Sequence, residues 1–308
     1  MYIGSVRFFK HLILTIFALM IIIPVTLAVY FAHSYFKANE QIEILQQRLA
    51  LLEQESGSSN NTGWSENGHG VTDVPASSSS DDAYTYHAKY PQLYVENDFQ
   101  YTAEAERTIY LTFDDGPTNL TSQVLDVLRD RGVRATFFVV YRNSNDAKEL
   151  YRRIVNEGHA IGIHSATHNY QQIYQSVESF LDDMAVLSDL IVEVTGVKPE
   201  LIRFPGGSVN NYNKNIYKEL IAEIHRRGYT YHDWDVSSGS STNTATKSSI
   251  YSQVINGIAN LDKAIVLMHD AGTAATVYAL PEIIDSIKSS GYKLEALDKT
   301  IKPTQFDF

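Results

Sequence analysis

The chain has 308 residues, 44% of them hydrophobic, with 36 acidic against 25 basic side chains and a formal net charge of −11. That balance, with no long Lys/Arg run, excludes a nucleic-acid binder that tracks phosphates. Cysteine is absent, which excludes disulfides, thiolate zinc sites, iron–sulfur clusters and a cysteine nucleophile. Any metal must be held by His, Asp or Glu.

In chain order, the first feature is the uncharged run Leu12–Phe31. At about 20 residues it is long enough to span a bilayer as a helix. Arg7 and Lys10 precede it, so the positive-inside rule keeps the N-terminus in the cytoplasm and sends the rest outside. The run is long for a signal peptide, and its one fair cleavage pattern, Thr26-Leu27-Ala28, lies inside it. This favours an uncleaved anchor over residues 1–36. Residues 37–55 read as a helical stalk, with Ile42, Leu45, Leu49 and Leu52 at heptad spacing. Two heptads support at most a weak dimer contact. Residues 56–82, rich in Ser, Gly and Asn, read as a disordered linker, and the Tyr-rich residues 83–106 as a lead-in.

From Arg107 onward, β-rich runs alternate with helical patterns. Strands are predicted at 108–113, 135–140, 160–164, 201–204, 229–234, 264–268 and 292–297. Helices are predicted over 121–131, 147–157, 177–195, 215–227, 248–260 and 277–289, several closed by glycines such as Gly132, Gly158 and Gly196. This alternation predicts an α/β domain of parallel strands covered by helices, and the number of units in that length favours a compact barrel over an open sheet.

Polar chemistry collects at the predicted C-terminal strand ends, the rim where parallel α/β folds build sites. The first strand ends in Thr112-Phe113-Asp114-Asp115-Gly116-Pro117. Adjacent carboxylates leaving a strand point apart, so one can bind a metal while the other takes a proton; Asp-Gly-Pro alone is also ordinary turn chemistry. The third ends in His164-Ser165-Ala166-Thr167-His168. Two His at i and i+4 can converge on one ion, although such pairs recur by chance on surfaces. Two His and one Asp suit zinc first, then cobalt, manganese or nickel. Arg203-Phe204-Pro205-Gly206-Gly207 is a turn whose backbone N–H groups can approach a ligand. His269, after Leu267 and Met268 at another strand end, is a candidate general acid, or else a structural His satisfied by Asp270.

Taken together, TFDDGP, HSxxH, RxP and the final Leu-x-His resemble the polysaccharide deacetylase family, carbohydrate esterase family 4 or NodB homology domain. The resemblance covers about Arg107 to Ala296 and implies a distorted (β/α) barrel over residues 107–302. It implies Asp114 as catalytic base, Asp115, His164 and His168 as metal ligands, Arg203 steadying Asp114, and His269 as general acid. Leu267 would line the acetyl-methyl pocket, and Gly206 would give a backbone N–H to the oxyanion, with Trp234 in the substrate groove.

Two departures stand out. Gly206 replaces the Tyr or Phe common after the RxP proline, removing an aromatic wall of the groove. In His232-Asp233-Trp234-Asp235-Val236-Ser237-Ser238-Gly239-Ser240, one register puts Ser240 where the family has an Asp supporting the catalytic His. The other register puts Asp233 there. The implied activity is metal-dependent removal of N-acetyl groups from a glycan. With an outward-facing anchor, the expected substrate is peptidoglycan N-acetylglucosamine at the cell membrane. N-acetylmuramic acid, chitin, poly-N-acetylglucosamine, O-acetylated xylan and a catalytically weak glycan-binding protein are the alternatives.

Overall fold

The computed structural model describes residues 85–102, 107–242 and 244–307. The predicted anchor, stalk and linker lie outside the described residues. Among those described, no helix is long and apolar enough to cross a membrane.

The strands are β1 (Thr108–Asp114), β2 (Thr136–Val140), β3 (Ala160–Ser165), β4 (Leu201–Ile202), β5 (Thr230–Tyr231), β6 (Val236–Ser237), β7 (Lys263–His269) and β8 (Lys293–Leu294). The helices are α1 (Asn119–Asp130), α2 (Asn145–Asn156), α3 (Tyr170–Ile173), α4 (Val177–Thr195), α5 (Tyr217–Arg226), α6 (Lys247–Ile258) and α7 (Ala275–Ser289). Their starts follow local chemistry. Thr118, Ser144, Ser176 and Thr246 each accept a first-turn N–H through the side-chain oxygen. Gly196 ends α4 in the left-handed region, where a residue without Cβ is unstrained.

All strand pairings are parallel, in the order β5-β4-β3-β2-β1-β7-β6, with β8 beside the start of β1. The sheet curls but does not close as a complete barrel would, because β5 and β6 are its two ends. Only His232 to Asp235 separate those strands, and a parallel pair needs a crossover of about a dozen residues. The C-terminal segment bonds to the open stretch instead. Asp233 N–H donates to Thr304 O (2.8 Å), and Phe306 N–H donates to Asp233 Oδ2 (2.8 Å). The predicted strand over 229–234 is therefore reduced to β5, and β6 is a further short strand beyond it that the sequence reading did not predict.

Strand alternation decides what faces inward. Ile109, Leu111, Phe113, Ile161, Ile163, Ala264, Val266 and Met268 pack in the main core under the helices. Tyr110, Phe138, Leu201 and Ile265 form a second cluster with Leu297. Asp114, His164 and His269 share the parity of that second, inner face, so period two carries all three to the same end of the curled sheet.

Candidate active site

Asp114 ends β1 and is buried, and its register partner on β7 is His269. Its Oδ1 accepts from Arg203 Nη1 at 2.9 Å. Arg203 is fully buried and nearly saturated. Nη1 also donates to Thr112 Oγ1 (2.6 Å), Nε to His232 O (3.0 Å) and Nη2 to Asp233 O (3.0 Å). The guanidinium lies 4.3 Å from the Phe138 ring centroid. A buried charge needs this degree of satisfaction, and the result fixes one Asp114 oxygen while Oδ2 points toward His164 Nε2, 3.9 Å away.

Asp115 follows at φ +74°, and His168 stands at φ +54°. Left-handed backbone at two non-glycine residues stores strain that tertiary contacts must hold. For His168 the holding group is Asp183 of α4. Its carboxylate accepts from Ser165 Oγ (2.7 Å), Ala166 N–H (2.7 Å), Thr167 N–H (2.8 Å) and Thr167 Oγ1 (2.7 Å). Ser165 Oγ in turn accepts the His168 N–H at 2.8 Å.

Asp115, His164 and His168 converge, with one ligand atom from each lying within 4.8 Å of the others. His168 Nε2 is 3.2 Å and His164 Nε2 3.5 Å from Asp115 Oδ1. His164 Nδ1 bonds the Arg203 carbonyl at 2.8 Å, which uses that nitrogen and leaves Nε2 facing the carboxylates. Asp115 Oδ1 is buried without a hydrogen bond. An orphaned carboxylate oxygen beside two inward imidazole nitrogens fits a divalent cation. Burial opposes ionisation of Asp115, but the adjacent His168, with His164 and His269, outweighs it and holds the carboxyl well below the usual range. Burial, against the pull of Asp114 and Asp115, keeps His164 below the ordinary imidazole value. Contact with Asp115 raises His168.

His269 is half-buried. Its Nδ1 lies 3.0 Å from Ser240 Oγ, and its backbone N–H donates to the same oxygen at 2.9 Å. Ser238 Oγ also donates to Ser240 Oγ (2.8 Å). Ser240 thus supports His269, which selects the first of the two registers. Asp233 is elsewhere, accepting from Ser208 N–H (2.8 Å), Ser208 Oγ (2.5 Å) and Phe306 N–H (2.8 Å). Leu267 is buried two residues before His269 on the same face.

Gly206 and Gly207 take φ values of +78° and +89° in succession. The Gly207 N–H closes a turn onto Phe204 O (2.9 Å), a bond that does not use the Gly206 N–H. Tyr174 braces this turn by donating to Pro205 O at 2.8 Å. Trp234 sits edge-on to Phe306, centroids 4.9 Å apart, and packs on the inner cluster with its ring 5.9 Å from the Arg203 guanidinium.

Sequence reasoning missed Asp183, Tyr174, Tyr170 and Phe306. Asp183 left a signal, since it falls within the stripe Phe180, Met184, Leu187 and Ile191 on the buried side of α4. A carboxylate at an apolar helical position implies buried donors.

A family model described as polysaccharide deacetylase matches residues 102–253. The Bacillus subtilis protein YheN is 35% identical over 205 residues, covering 64% of this chain and 70% of its own length. A peptidoglycan-N-acetylglucosamine deacetylase of Bacillus cereus is 30% identical over 202 residues, covering 64% and 71% respectively. Among solved structures, the catalytic domain of a peptidoglycan N-acetylglucosamine deacetylase from Eubacterium rectale superposes with a TM-score of 0.65 at 34% identity. That match covers 68% of this chain and 96% of the other.

Proposed function

The chain belongs to the polysaccharide deacetylase family, and from that premise we propose that it hydrolyses N-acetyl groups of peptidoglycan N-acetylglucosamine, releasing acetate. The observation that carries the reading is the meeting of Asp114, His269 and the Asp115–His164–His168 set at one end of the sheet. The similarity to peptidoglycan-N-acetylglucosamine deacetylases of Bacillus cereus and Listeria monocytogenes supports the choice of sugar.

Asp115, His164 and His168 would hold a divalent metal, zinc first by donor chemistry, which would supply Lewis-acid polarisation of the acetyl carbonyl. Asp114, with Oδ1 fixed by Arg203, takes through Oδ2 the proton of the attacking water. The Gly206 N–H donates to the carbonyl oxygen as negative charge develops on it. His269 gives a proton to the leaving nitrogen as the C–N bond breaks, so acetate and a free amino sugar depart. Leu267 lines the methyl side. The reading includes an uncleaved anchor at 12–31, which puts the domain outside the cell membrane.

The test uses full-length protein stripped by chelation and reloaded with Zn²⁺, Co²⁺ or Mn²⁺, then given peptidoglycan or N-acetylglucosamine oligomers. Metal-dependent acetate release is expected, falling by at least about 100-fold in Asp114→Asn and in His269→Ala. Undiminished release from either variant overturns the assignment. A second reading, a weakly catalytic glycan binder, is favoured by Gly206 and by Ser240 in place of an Asp beside His269, and is the result if metal and glycan bind without acetate release.

A further inference from the structure

Gly206 has no side chain to form an aromatic wall, yet the space beside it is filled. A Cβ built there would lie 3.4 Å from the Tyr170 hydroxyl. Tyr170 belongs to α3, directly after the ligand loop, and its ring centroid is 5.3 Å from that of His168. Tyr212 continues outward from it, ring centroids 5.1 Å apart at 49°.

Tyr212 is 53% exposed, but its loop is held firmly. Asn210 Oδ1 accepts the N–H groups of Tyr212 (2.8 Å) and Asn213 (3.2 Å), while Asn210 Nδ2 donates to Pro205 O (3.2 Å) and Gly207 O (3.0 Å). The loop that presents Tyr212 is therefore the loop that presents Gly206. A flat aromatic surface exposed on a braced loop, one ring away from a metal-ligand set, suits a partner with an apolar C–H face and a hydroxylated edge. That is the chemistry of a pyranose ring.

We propose that Tyr170 and Tyr212 form a stacking wall for a sugar ring of the substrate glycan, supplied by α3 and the loop after β4 in place of a side chain at Gly206. This rests on the deacetylase reading for its substrate class.

The binding test is calorimetry of full-length Asp114→Asn protein with the N-acetylglucosamine pentamer, with and without Tyr212→Ala. Affinity is expected to fall about 10-fold in Tyr212→Ala, the scale of one lost aromatic contact, and to be kept in Tyr212→Phe. Tyr170→Leu should weaken binding in the same direction. In the metal-loaded, otherwise wild-type protein, the ratio of kcat/KM on the pentamer to that on 4-nitrophenyl acetate should fall by a similar factor in Tyr212→Ala. Unaltered pentamer affinity, no pentamer binding by the Asp114→Asn protein, or equal losses on pentamer and ester each overturn the wall. So does an effect seen only with peptide-bearing peptidoglycan. If the deacetylase reading fails instead, no glycan releases acetate, yet the binding loss at Tyr212 persists.

Discussion

Asp114 and His269 are register partners on adjacent strands, yet they are held by different chemistry. Asp114 is met by a buried guanidinium, whereas His269 is met by the neutral hydroxyl of Ser240. Ser240 Oγ accepts from Ser238 Oγ and from the His269 backbone N–H, so its own proton is directed to His269 Nδ1. An acceptor for an Nδ1 proton is then missing, and the imidazolium gains no charge-assisted bond. Ser240→Asp supplies that bond and is expected to raise acetate release about 3- to 10-fold at neutral pH, read from initial rates. A fall in rate would show that the hydroxyl is the better partner here. Asp183 matters at the same scale, because four donors of the ligand loop end on its carboxylate. Asp183→Ala should weaken metal binding about 10- to 100-fold, as loss of ligand support does elsewhere. Competition with a chromogenic chelator would measure it.

Among elements, α3 and the C-terminal segment act on one loop from two sides. Tyr174 braces Pro205, and Phe306 fills the space next to Gly207. A Cβ at Gly207 would come within 2.6 Å of the Phe306 ring at a backbone φ of +89°. Gly207→Ala therefore combines strain with a clash and is expected to cost about 2–3 kcal/mol in urea unfolding. Adding Phe306→Ala should remove the clash and leave the strain, so the double variant should lose less than the two single losses together. Strict additivity would mean that the tail does not press on the loop. Deleting residues 304–308 should also lower pentamer turnover, because Asp233, which holds Ser208, loses the segment bonded to the open stretch between β5 and β6.

For the whole molecule, the buried titratable groups predict sensitivity to mild acid. Burial pushes His159 down to about 4 and His232 down to about 3, and both ring nitrogens of His232 lack partners. Each is neutral in the folded protein but protonates near pH 6.5 when unfolded, so stability is lost as pH falls from about 6.5 toward 4. Asp270 has the opposite sign. Burial pushes its carboxyl up to about 7, so its contribution is present at low pH and lost as pH rises from about 4 to 7. Replacing His232 isolates one proton. His232→Leu should flatten the stability–pH slope of chelated protein by about 1.4 kcal/mol per pH unit between pH 6 and 4. It should cost little at pH 7, since no hydrogen bond is lost. An unchanged slope in urea titrations would place the acid sensitivity elsewhere.

Much of this was legible in the chain itself. Asp114, His164 and His269 stand on strands whose periodicity directs them to one end of a parallel sheet, Asp115, His168 and Arg203 follow in the same motifs just past strand ends, and helix caps such as Thr118 and Ser176 are local chemistry. Local chemistry could not tell Ser240 from Asp233 as the partner of His269, because that choice depends on how the chain turns between β5 and β6. Nor could it close or open the barrel, give Asp183 its four donors, or bring Phe306 to Gly207 and Tyr212 to Tyr170. Those pairings join segments remote in sequence, and only the packing of the folded chain sets the distances between them.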